Sequence, residues 1–399
     1  MQLTQLMREL GGLQVAKLVV IFCQVFFASS NIANAQIAQP QLVYAGFAFE
    51  GDADNRNFRY PHVADLHQKQ PDLIRTQFLN KLNNPANASV KQKLSLNEAN
   101  EKHDPIMVAF ALTQETYEKQ VINGQHWAIV VLQANVLAFN NSSSSVVGSY
   151  PVRLRLVRTF AQDPTQDDIK RIVREAFTST NQNENIIDLW LNKLATVSFR
   201  NAAIKRIRVI NVNLAKEAKD YLTKSKVNES TLKSSVASDI EISLSSKAGI
   251  PLLPNTVGEA IGNSIALRFS DKSIQIKIPD ADYEIYFAIR GFASATTDSN
   301  NQLTDIFRVK SNLTIKIGGE DNSLFNEDMY ETKFLTRPKS VSLQLDEWTQ
   351  YRKTLQEFIL ALGTQLQNPQ DEWLIEHASK GSDAKQSFNK AKTLIQELK

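Results

Sequence analysis

Two histidines and an aspartate lie close together in the segment PHVADLH, as His62, Asp65 and His67, and His103 with Asp104 are near enough in sequence to join them. Imidazole nitrogens and carboxylate oxygens are ligands that zinc takes in proteins. The two histidines are five positions apart, which places them on different faces of a helix and on opposite faces of a strand. We therefore expect a polar loop or a helix start with exposed histidines, and we predict no metal site.

Two segments match the S-x-x-K pattern of penicillin-recognising serine enzymes, Ser230 to Lys233 and Ser387 to Lys390. That chemistry also needs S-D-N and K-T-G elements, and the sequence has neither. The G-x-G-x-x-G, P-loop, H-E-x-x-H and G-x-S-x-G motifs are absent as well. We therefore identify no catalytic residue and no cofactor-binding residue, and the sequence favours a protein that is not an enzyme.

Four acidic residues cluster in the segment GGEDNSLFNED, at Glu320, Asp321, Glu327 and Asp328. Carboxylate oxygens are the ligands that calcium prefers. The segment lacks the regularly alternating ligands and the closing glutamate of an EF-hand loop. We expect a solvated loop here.

Two predicted strands carry basic side chains, which are Arg153, Arg155 and Arg158 in the first and Lys205, Arg206 and Arg208 in the second. Such strands can cradle phosphate or an anionic polymer. The alternative is a solvated sheet face, or charges that prevent edge-to-edge strand pairing. The chain has 45 Lys and Arg against 42 Asp and Glu, so its charge indicates no nucleic-acid partner. We favour the solvated face for the group, and we keep Arg153 and Arg155 as candidate partner-binding residues.

The tips of two predicted hairpins are rich in asparagine and serine, at residues 140–145 and 296–301. Neither tip contains histidine, and the first contains no carboxylate, so both are poor sites for acid–base catalysis. Loops that rigid strands hold in place often bind partners. We predict that the tips hydrogen-bond to a protein or a glycan through Asn140, Asn141, Asn300 and Asn301.

The elements that position these residues follow from the apolar pattern. Short apolar runs and alternating segments predict strands, at 42–49, 106–112, 127–139, 150–160, 204–212, 264–278 (two short strands), 283–293 and 306–317. In the fourth of these, Val152, Leu154 and Leu156 alternate with Arg153 and Arg155, which is typical of a strand with one wet face. Sequential strands joined by polar turns predict long antiparallel hairpins.

Apolar residues at helical spacing predict the helices. The clearest helix has Asp163 as its cap and Pro164 in its first turn, and one apolar stripe contains Ile169, Ile172, Val173, Ala176 and Phe177. Another begins at Asp346 and ends at Gly363, with a stripe of Trp348, Tyr351, Leu355, Phe358 and Leu362. Shorter helices are predicted at 72–82, 186–194, 214–224, 371–379 and 382–398.

The length of 399 residues suggests more than one domain. Each half contains a long hairpin followed by a helix with a wide apolar stripe. We therefore predict an α+β fold of two similar-sized domains, each a mostly antiparallel sheet with helices packed on one face. We place the first domain at 36–220, a linker and connector at 221–255, and the second domain with its C-terminal helices at 256–399.

The N-terminal segment 1–35 has the pattern of a cleaved secretory signal peptide. Lys17 precedes the apolar run LVVIFCQVFFA, and Ala33 and Ala35 form an A-x-A cleavage site before Gln36. The apolar run is shorter than the roughly 20 residues that cross a bilayer. Cleavage also removes Cys23, the only cysteine, so the mature chain has neither a thiol nor a disulfide.

These observations together predict an exported bacterial cell-envelope protein, in the periplasm or at the outer membrane, with a non-catalytic binding or assembly role. Its partner is expected to be an envelope protein or a glycan, and no transmembrane span is expected after signal cleavage. The alternative is a periplasmic hydrolase that acts on cell-wall or surface polymer. A deep pocket with converging carboxylates or histidines would favour the hydrolase.

Cleavage of the signal peptide is testable by mass spectrometry of the protein purified from a bacterial envelope fraction. We expect the N-terminal peptide to begin at Gln36, with or without cyclisation of that glutamine, because Ala33 and Ala35 offer small residues at the cleavage site. Replacing Ala35 with a bulky residue should leave the longer precursor. Mature material that begins at Met1 in the cytosol would contradict the prediction.

Overall fold

The computed structural model describes residues 42–398, apart from 52–58, 97–104, 123, 198, 200–204, 249, 258–263, 271, 300 and 341–345. The predicted signal segment 1–35 therefore lies outside the described residues, as do His103, Asp104 and Asn300. None of the helices in the described ranges has the length and apolar character needed to cross a membrane.

One mixed sheet of twelve strands organises the described chain. The strands are β1 (Leu42–Glu50), β2 (Leu94–Ser95), β3 (Ile106–Ile122), β4 (Gln125–Asn140), β5 (Ser145–Phe160), β6 (Ile207–Leu214), β7 (Leu252–Leu253), β8 (Ser264–Arg268), β9 (Ser273–Lys277), β10 (Tyr283–Ser299), β11 (Gln302–Ile317) and β12 (Ser323–Pro338). Their order across the sheet is β12-β11-β10-β6-β7-β5-β4-β3-β1-β8-β9, and β2 pairs with β1. The mixed α+β class is thus confirmed. The sheet contains both antiparallel and parallel pairs, so the mostly antiparallel arrangement is not confirmed.

The two halves of the chain contribute their strands in the same arrangement. In the first half β1 lies parallel to β3, and β4 and β5 follow through antiparallel hairpins. In the second half β6 lies parallel to β10, and β11 and β12 follow through antiparallel hairpins. Strand β7 pairs with both β5 and β6 and so joins the two halves. The halves therefore form a structural repeat inside one sheet, and a division into two separate domains is not confirmed.

The helices fall into two groups that follow the two halves. The first group is α1 (Pro61–Lys69), α2 (Leu73–Leu82), α3 (Ala88–Lys93), α4 (Gln166–Thr178) and α5 (Ile186–Thr196). The second group is α6 (Lys216–Lys224), α7 (Glu229–Ser243), α8 (Glu347–Gln367), α9 (Asp371–His377) and α10 (Lys385–Glu397). Each group buries apolar side chains in its own cluster, with the fully buried Trp190 in the first cluster and Phe358 in the second. A third, smaller cluster lies under the β8–β9 hairpin.

Helix α4 confirms the predicted apolar stripe but begins at a different cap. All five stripe residues are buried, and the hydroxyl of Thr165, not the carboxylate of Asp163, accepts a hydrogen bond from the backbone of the first turn. The Asp168 carboxylate in turn accepts a hydrogen bond from the backbone N–H of Thr165, which makes a reciprocal capping box. Asp163 instead forms an ion pair with Lys119 at 3.0 Å.

The segment 221–255, predicted as a linker and connector, contains the 15-residue helix α7. This helix buries Leu232, Val236 and Ile240 in the second apolar cluster. It crosses α8 so closely that a Cβ atom on Gly363 would lie 2.0 Å from Ser243 Oγ. Helix α8 continues to Gln367, so the prediction that it ends at Gly363 is wrong. The glycine instead leaves room for the close crossing of α7 and α8.

Replacing Gly363 tests the close approach of α7 and α8. A glycine-to-alanine change inside a helix normally raises stability, by about 1 kcal/mol. Here we expect Gly363→Ala to lower the free energy of unfolding by about 1–3 kcal/mol, because the added methyl group overlaps Ser243. Urea unfolding followed by circular dichroism measures the change.

Two further variants make this test specific. Thr364→Ala, at the exposed next position of α8, should change stability by less than about 0.5 kcal/mol. Adding Ser243→Ala to Gly363→Ala should restore part of the loss, since it removes the overlapping hydroxyl. A stabilised Gly363→Ala variant would show that the helices do not cross at this distance.

Candidate functional site

Arg153 and Arg155 lie on one face of β5, as the alternation predicts, because Val152, Leu154 and Leu156 are buried on the other face. The two arginines, with neighbouring parts of β3 and β4, form one wall of an open cleft of about 470 Å³. The opposite wall consists of α7 and the first turns of α8. The cleft therefore lies between the sheet of the first half and helices of the second half.

The described side chains that line this cleft, here called the arginine cleft, are of several kinds. Five are cationic: Lys119, Arg153, Arg155, Arg352 and Lys353. Five are amides: Gln114, Gln120, Gln133, Gln356 and Asn228. The apolar surface comes from Trp348, Ile129, Val131, Val227 and Leu232. The acidic members are Glu118 and Asp346, so cationic groups outnumber carboxylates in the lining.

A buried carboxylate beneath the arginine cleft fixes two of its arginines. The Asp239 side chain on α7 is 0% exposed, and it accepts hydrogen bonds from Nη2 of Arg153 and, at 2.6 Å, from Nη2 of Arg352. Burial alone would raise the pKa of Asp239, but the charges of Arg352 and Arg153 hold that pKa below its ordinary value. Asp239 is therefore ionised at neutral pH, and one negative charge is shared by two guanidinium groups.

Neutral partners complete the placement of these two arginines. Ser235 Oγ accepts a hydrogen bond from Arg352 Nη2 at 2.5 Å. With its amide oxygen turned towards the guanidinium, Gln133 accepts a hydrogen bond from Arg153 Nε at 2.8 Å. Both arginines are consequently held in defined positions, with part of each side chain facing the cleft.

Other cations in the cleft keep unused binding capacity. Among the described residues, neither the exposed Arg155 nor the half-buried Lys353 has an ion-pair or hydrogen-bond partner. Nη1 of Arg352 also has no hydrogen-bond partner among the same residues, but this nitrogen is buried and adds no capacity to bind a ligand. By contrast, Lys119 pairs with Asp163, and this carboxylate offsets the positive charge that Lys119 brings to the cleft. The carboxylate of Asp346 is also engaged, because it caps α8 by accepting from the backbone N–H of Thr349 at 3.2 Å.

The histidine cluster lies along helix α1, with His62 in the first turn, where a helix start was expected, and His67 in the last turn, and neither histidine is exposed. His62 is 7% exposed in the first turn of α1, and its Nδ1 lies 2.6 Å from Glu115 Oε1. Glu115 also accepts the backbone N–H groups of His62 and Val63 at the helix N-terminus. The hydrogen bond that the Glu115 carboxylate accepts from the imidazole raises the pKa of His62. His67 packs against the rings of Phe47 and Phe49, so the two histidines do not face each other.

No group of three or more His, Cys, Asp or Glu side chains in the described part of the chain is arranged to hold a metal ion. The predicted acidic loop is partly wrong, because residues from Ser323 onward form β12. Glu327 on that strand is 1% exposed and pairs with Lys380 at 3.0 Å. The acidic residues are therefore divided between a turn and a strand with its own ion pairs.

The remaining basic residues do not join the arginine cleft. Arg158 lies on the other face of β5, where it pairs with Glu175 and Glu184. Lys205 pairs with Glu397 at 2.6 Å, and Arg208 is 6% exposed and donates to the carbonyl of Pro254. The two basic strand segments thus form no common surface.

The two asparagine-rich tips occupy different places in the repeat, between β4 and β5 and between β10 and β11. The first is held to the sheet, since the Ser144 carbonyl accepts the N–H of Lys277 at 2.7 Å. Asn140 is the half-buried end of β4, and Asn141 is exposed in the turn. In the second tip Ser299 pairs with Gln302, and Asn301 has a φ of +65°. No residue of either tip is among the described lining of the arginine cleft.

Sequence reasoning missed Asp239, Trp348 as a cleft residue, and Arg352. Asp239 lies in a serine- and lysine-rich segment, where a buried carboxylate gives no signal in composition. Arg352 follows Trp348 by four positions on α8, which places both on one side of the helix. That spacing indicates a shared face but does not indicate that the face meets β5.

Comparisons with known proteins assign no family. No protein-family model and no curated protein matches the sequence. One solved structure with some similarity is a minor lipoprotein from Acinetobacter baumannii, with 9% identity and a TM-score of 0.21 over 41% of this chain and 88% of that one. A TM-score this low does not show a shared fold, so the function is argued from the residues of this chain alone.

The buried ion-pair group predicts a specific loss of stability. Asp239→Asn should lower the free energy of unfolding by about 3 kcal/mol at neutral pH, because two partly buried guanidinium groups lose their counter-charge. The folded-state pKa of Asp239 is depressed, so its contribution is present above its ordinary pKa and is lost as the pH falls through the folded value. The difference from wild type should therefore shrink below about pH 4.

The matched control is Asp220→Asn, an exposed aspartate on α6. It makes the same change of charge, and it should alter stability by less than about 0.5 kcal/mol. Urea unfolding of the three proteins at several pH values makes the measurement. Equal stability of Asp239→Asn and wild type at pH 7 would contradict the proposed role of Asp239.

Proposed function

We propose that this chain is an exported bacterial cell-envelope protein with a non-catalytic binding role, and that it binds its ligand in the arginine cleft. The signal pattern at the N-terminus supports export. The observation that carries the binding role is the placement of Arg153 and Arg352 by Asp239 in a cleft where Arg155 and Lys353 remain unpaired. A fixed framework with unused polar groups is suited to recognition.

The chemistry of the lining supports binding over hydrolysis. A hydrolase needs an acid and a base placed at the reacting bond. The acidic side chains in the described lining are Glu118 and Asp346, and Asp346 is engaged as a helix cap. The histidine with the raised pKa, His62, is buried against Glu115 in a different part of the fold. The hairpin tips with Asn140, Asn141 and Asn301 remain a second proposed contact for the same partner.

Blocking the arginine cleft tests this function. Thr231 and Ser230 are both exposed in the first turn of α7, but Thr231 lines the cleft and Ser230 is not in its described lining. We expect Thr231→Trp to lose the material that co-purifies with the mature wild-type chain from a native envelope fraction, because the indole fills the cleft. Ser230→Trp should retain that material, and both variants should melt within a few degrees of wild type. Retention of all bound material by Thr231→Trp would contradict binding in the cleft.

Two further measurements separate the alternatives. A variant with Asn141→Ala and Asn301→Gly tests the tips in the same experiment, and loss of the partner there alone would place binding at the turns. Release of soluble fragments from purified cell-wall polymer by the wild-type chain, but not by Thr231→Trp, would support a hydrolase in place of a binding protein.

A further inference from the structure

We infer that the ligand of the arginine cleft is an acidic saccharide, a sugar chain that bears carboxylate or phosphate groups. This inference rests on the proposed function, because it names the ligand class of the same cleft. It draws on three features of the lining, which are the unpaired cations, the array of amides and hydroxyls, and one aromatic side chain among apolar neighbours.

The first feature is a surplus of cationic over acidic side chains in the described lining, where five cations stand against Glu118 and Asp346. Asp239 supplies one negative charge to Arg153 and Arg352 together, so that group keeps a net positive charge at neutral pH. Arg155 and Lys353 add two cations that have no partner among the described residues. Guanidinium groups bind carboxylate and phosphate oxygens through charge-assisted hydrogen bonds. An anionic group on the ligand therefore satisfies donors that the folded chain leaves available.

The second feature is the density of neutral polar side chains around these cations. Gln114, Gln120, Thr116 and Thr231 line the cleft and offer donors and acceptors within one site. Sugar hydroxyls are also both donors and acceptors, and they occur on every ring of a saccharide. A simple inorganic anion would use the cations and leave these groups unused, so the lining fits an anion that is attached to a hydroxyl-rich body.

The third feature is the indole of Trp348 with Val227 and Leu232 on the helical wall. The edge-to-face contact between Trp348 and Phe292, with ring centroids 6.0 Å apart, fixes the orientation of the indole. The C–H groups of a sugar ring form an apolar face that packs on such a surface while the hydroxyls reach the amides. The cleft volume of about 470 Å³ lies within the range of about 300–1,000 Å³ for small-ligand sites, which accommodates a short oligosaccharide segment.

Each group then has a defined role in binding. Arg155 and Lys353 contact the acidic group of the ligand. Arg153 and Arg352, which Asp239 holds in place, add positive charge to the cleft. Trp348 contacts the sugar ring.

Isothermal titration of the mature full-length chain with defined probes tests the inference. Hyaluronan tetrasaccharide carries carboxylates, N-acetylglucosamine 6-phosphate carries phosphate, and chitotetraose is a neutral sugar. We expect at least one acidic sugar to bind and to bind tighter than chitotetraose, and the tighter of the two acidic probes identifies the acidic group. Affinity for the acidic sugar should fall steeply with added salt.

Variants with equal charge changes provide the control. Arg155→Gln with Lys353→Gln should weaken binding of the acidic sugar about ten-fold or more, because two charge-assisted contacts are lost. Arg174→Gln with Lys224→Gln removes two exposed cations outside the cleft and should change the affinity less than about two-fold. Trp348→Ala should weaken binding of acidic and neutral sugars alike. Melting curves confirm that every variant is folded.

Several outcomes would overturn the inference while leaving the proposed function intact. Equal affinity for chitotetraose and the acidic sugars would show that the cleft does not select charge. Tighter binding of poly-glutamate than of any sugar would show that the ligand is an acidic peptide. If no probe binds, yet Thr231→Trp still loses its co-purifying material, the cleft binds a ligand of another class. If Thr231→Trp keeps all its material as well, the proposed function itself fails.

Discussion

The fold depends on one buried carboxylate that serves two distant parts of the chain. Asp239 on α7 holds Arg153 of β5 and Arg352 of α8, and so it connects the sheet of the first half with helices of the second. An ionised carboxylate that is shielded from water needs a partner of opposite charge, because its desolvation costs roughly several kcal/mol. The same ion-pair group therefore stabilises the junction and sets the positions of two arginines in the cleft above it.

Local pattern was enough to predict much of the secondary structure. The stripe of α4 and the alternation of β5 were correct, because each is decided by which side chains of a single element are apolar. Strand β12 was missed, because Glu327 and Asp328 interrupt its apolar pattern and Glu327 is buried through its pairing with Lys380. Helix α7 was missed for a related reason. Its many serines resemble a linker, while its burial is decided by contact with α8.

The candidate site was predictable only in part. Arg153 and Arg155 were identified from the sequence, because two arginines alternating with buried residues must share a face of a strand. The sequence did not predict that Arg153 is fixed by an ion pair while Arg155 is unpaired. Asp239, which pairs with Arg153, lies 86 positions away, and Arg352 lies a further 113 positions along the chain. The two asparagine-rich tips show the opposite problem. They look alike in sequence, yet they connect non-equivalent strands of the repeat.

The long separation between Arg153 and its partners has a consequence for how the chain is made. The hairpins β3–β4 and β4–β5 are local, and they can form as soon as that part of the chain is synthesised. The face of the sheet that carries Arg153 and Arg155 stays exposed until α7 and α8 pack opposite it. Incompletely folded sheets commonly aggregate through exposed apolar faces and strand edges. Two guanidinium groups keep such a face charged and hydrated, so Arg153 and Arg155 disfavour aggregation of any chain in which α7 and α8 have not yet docked.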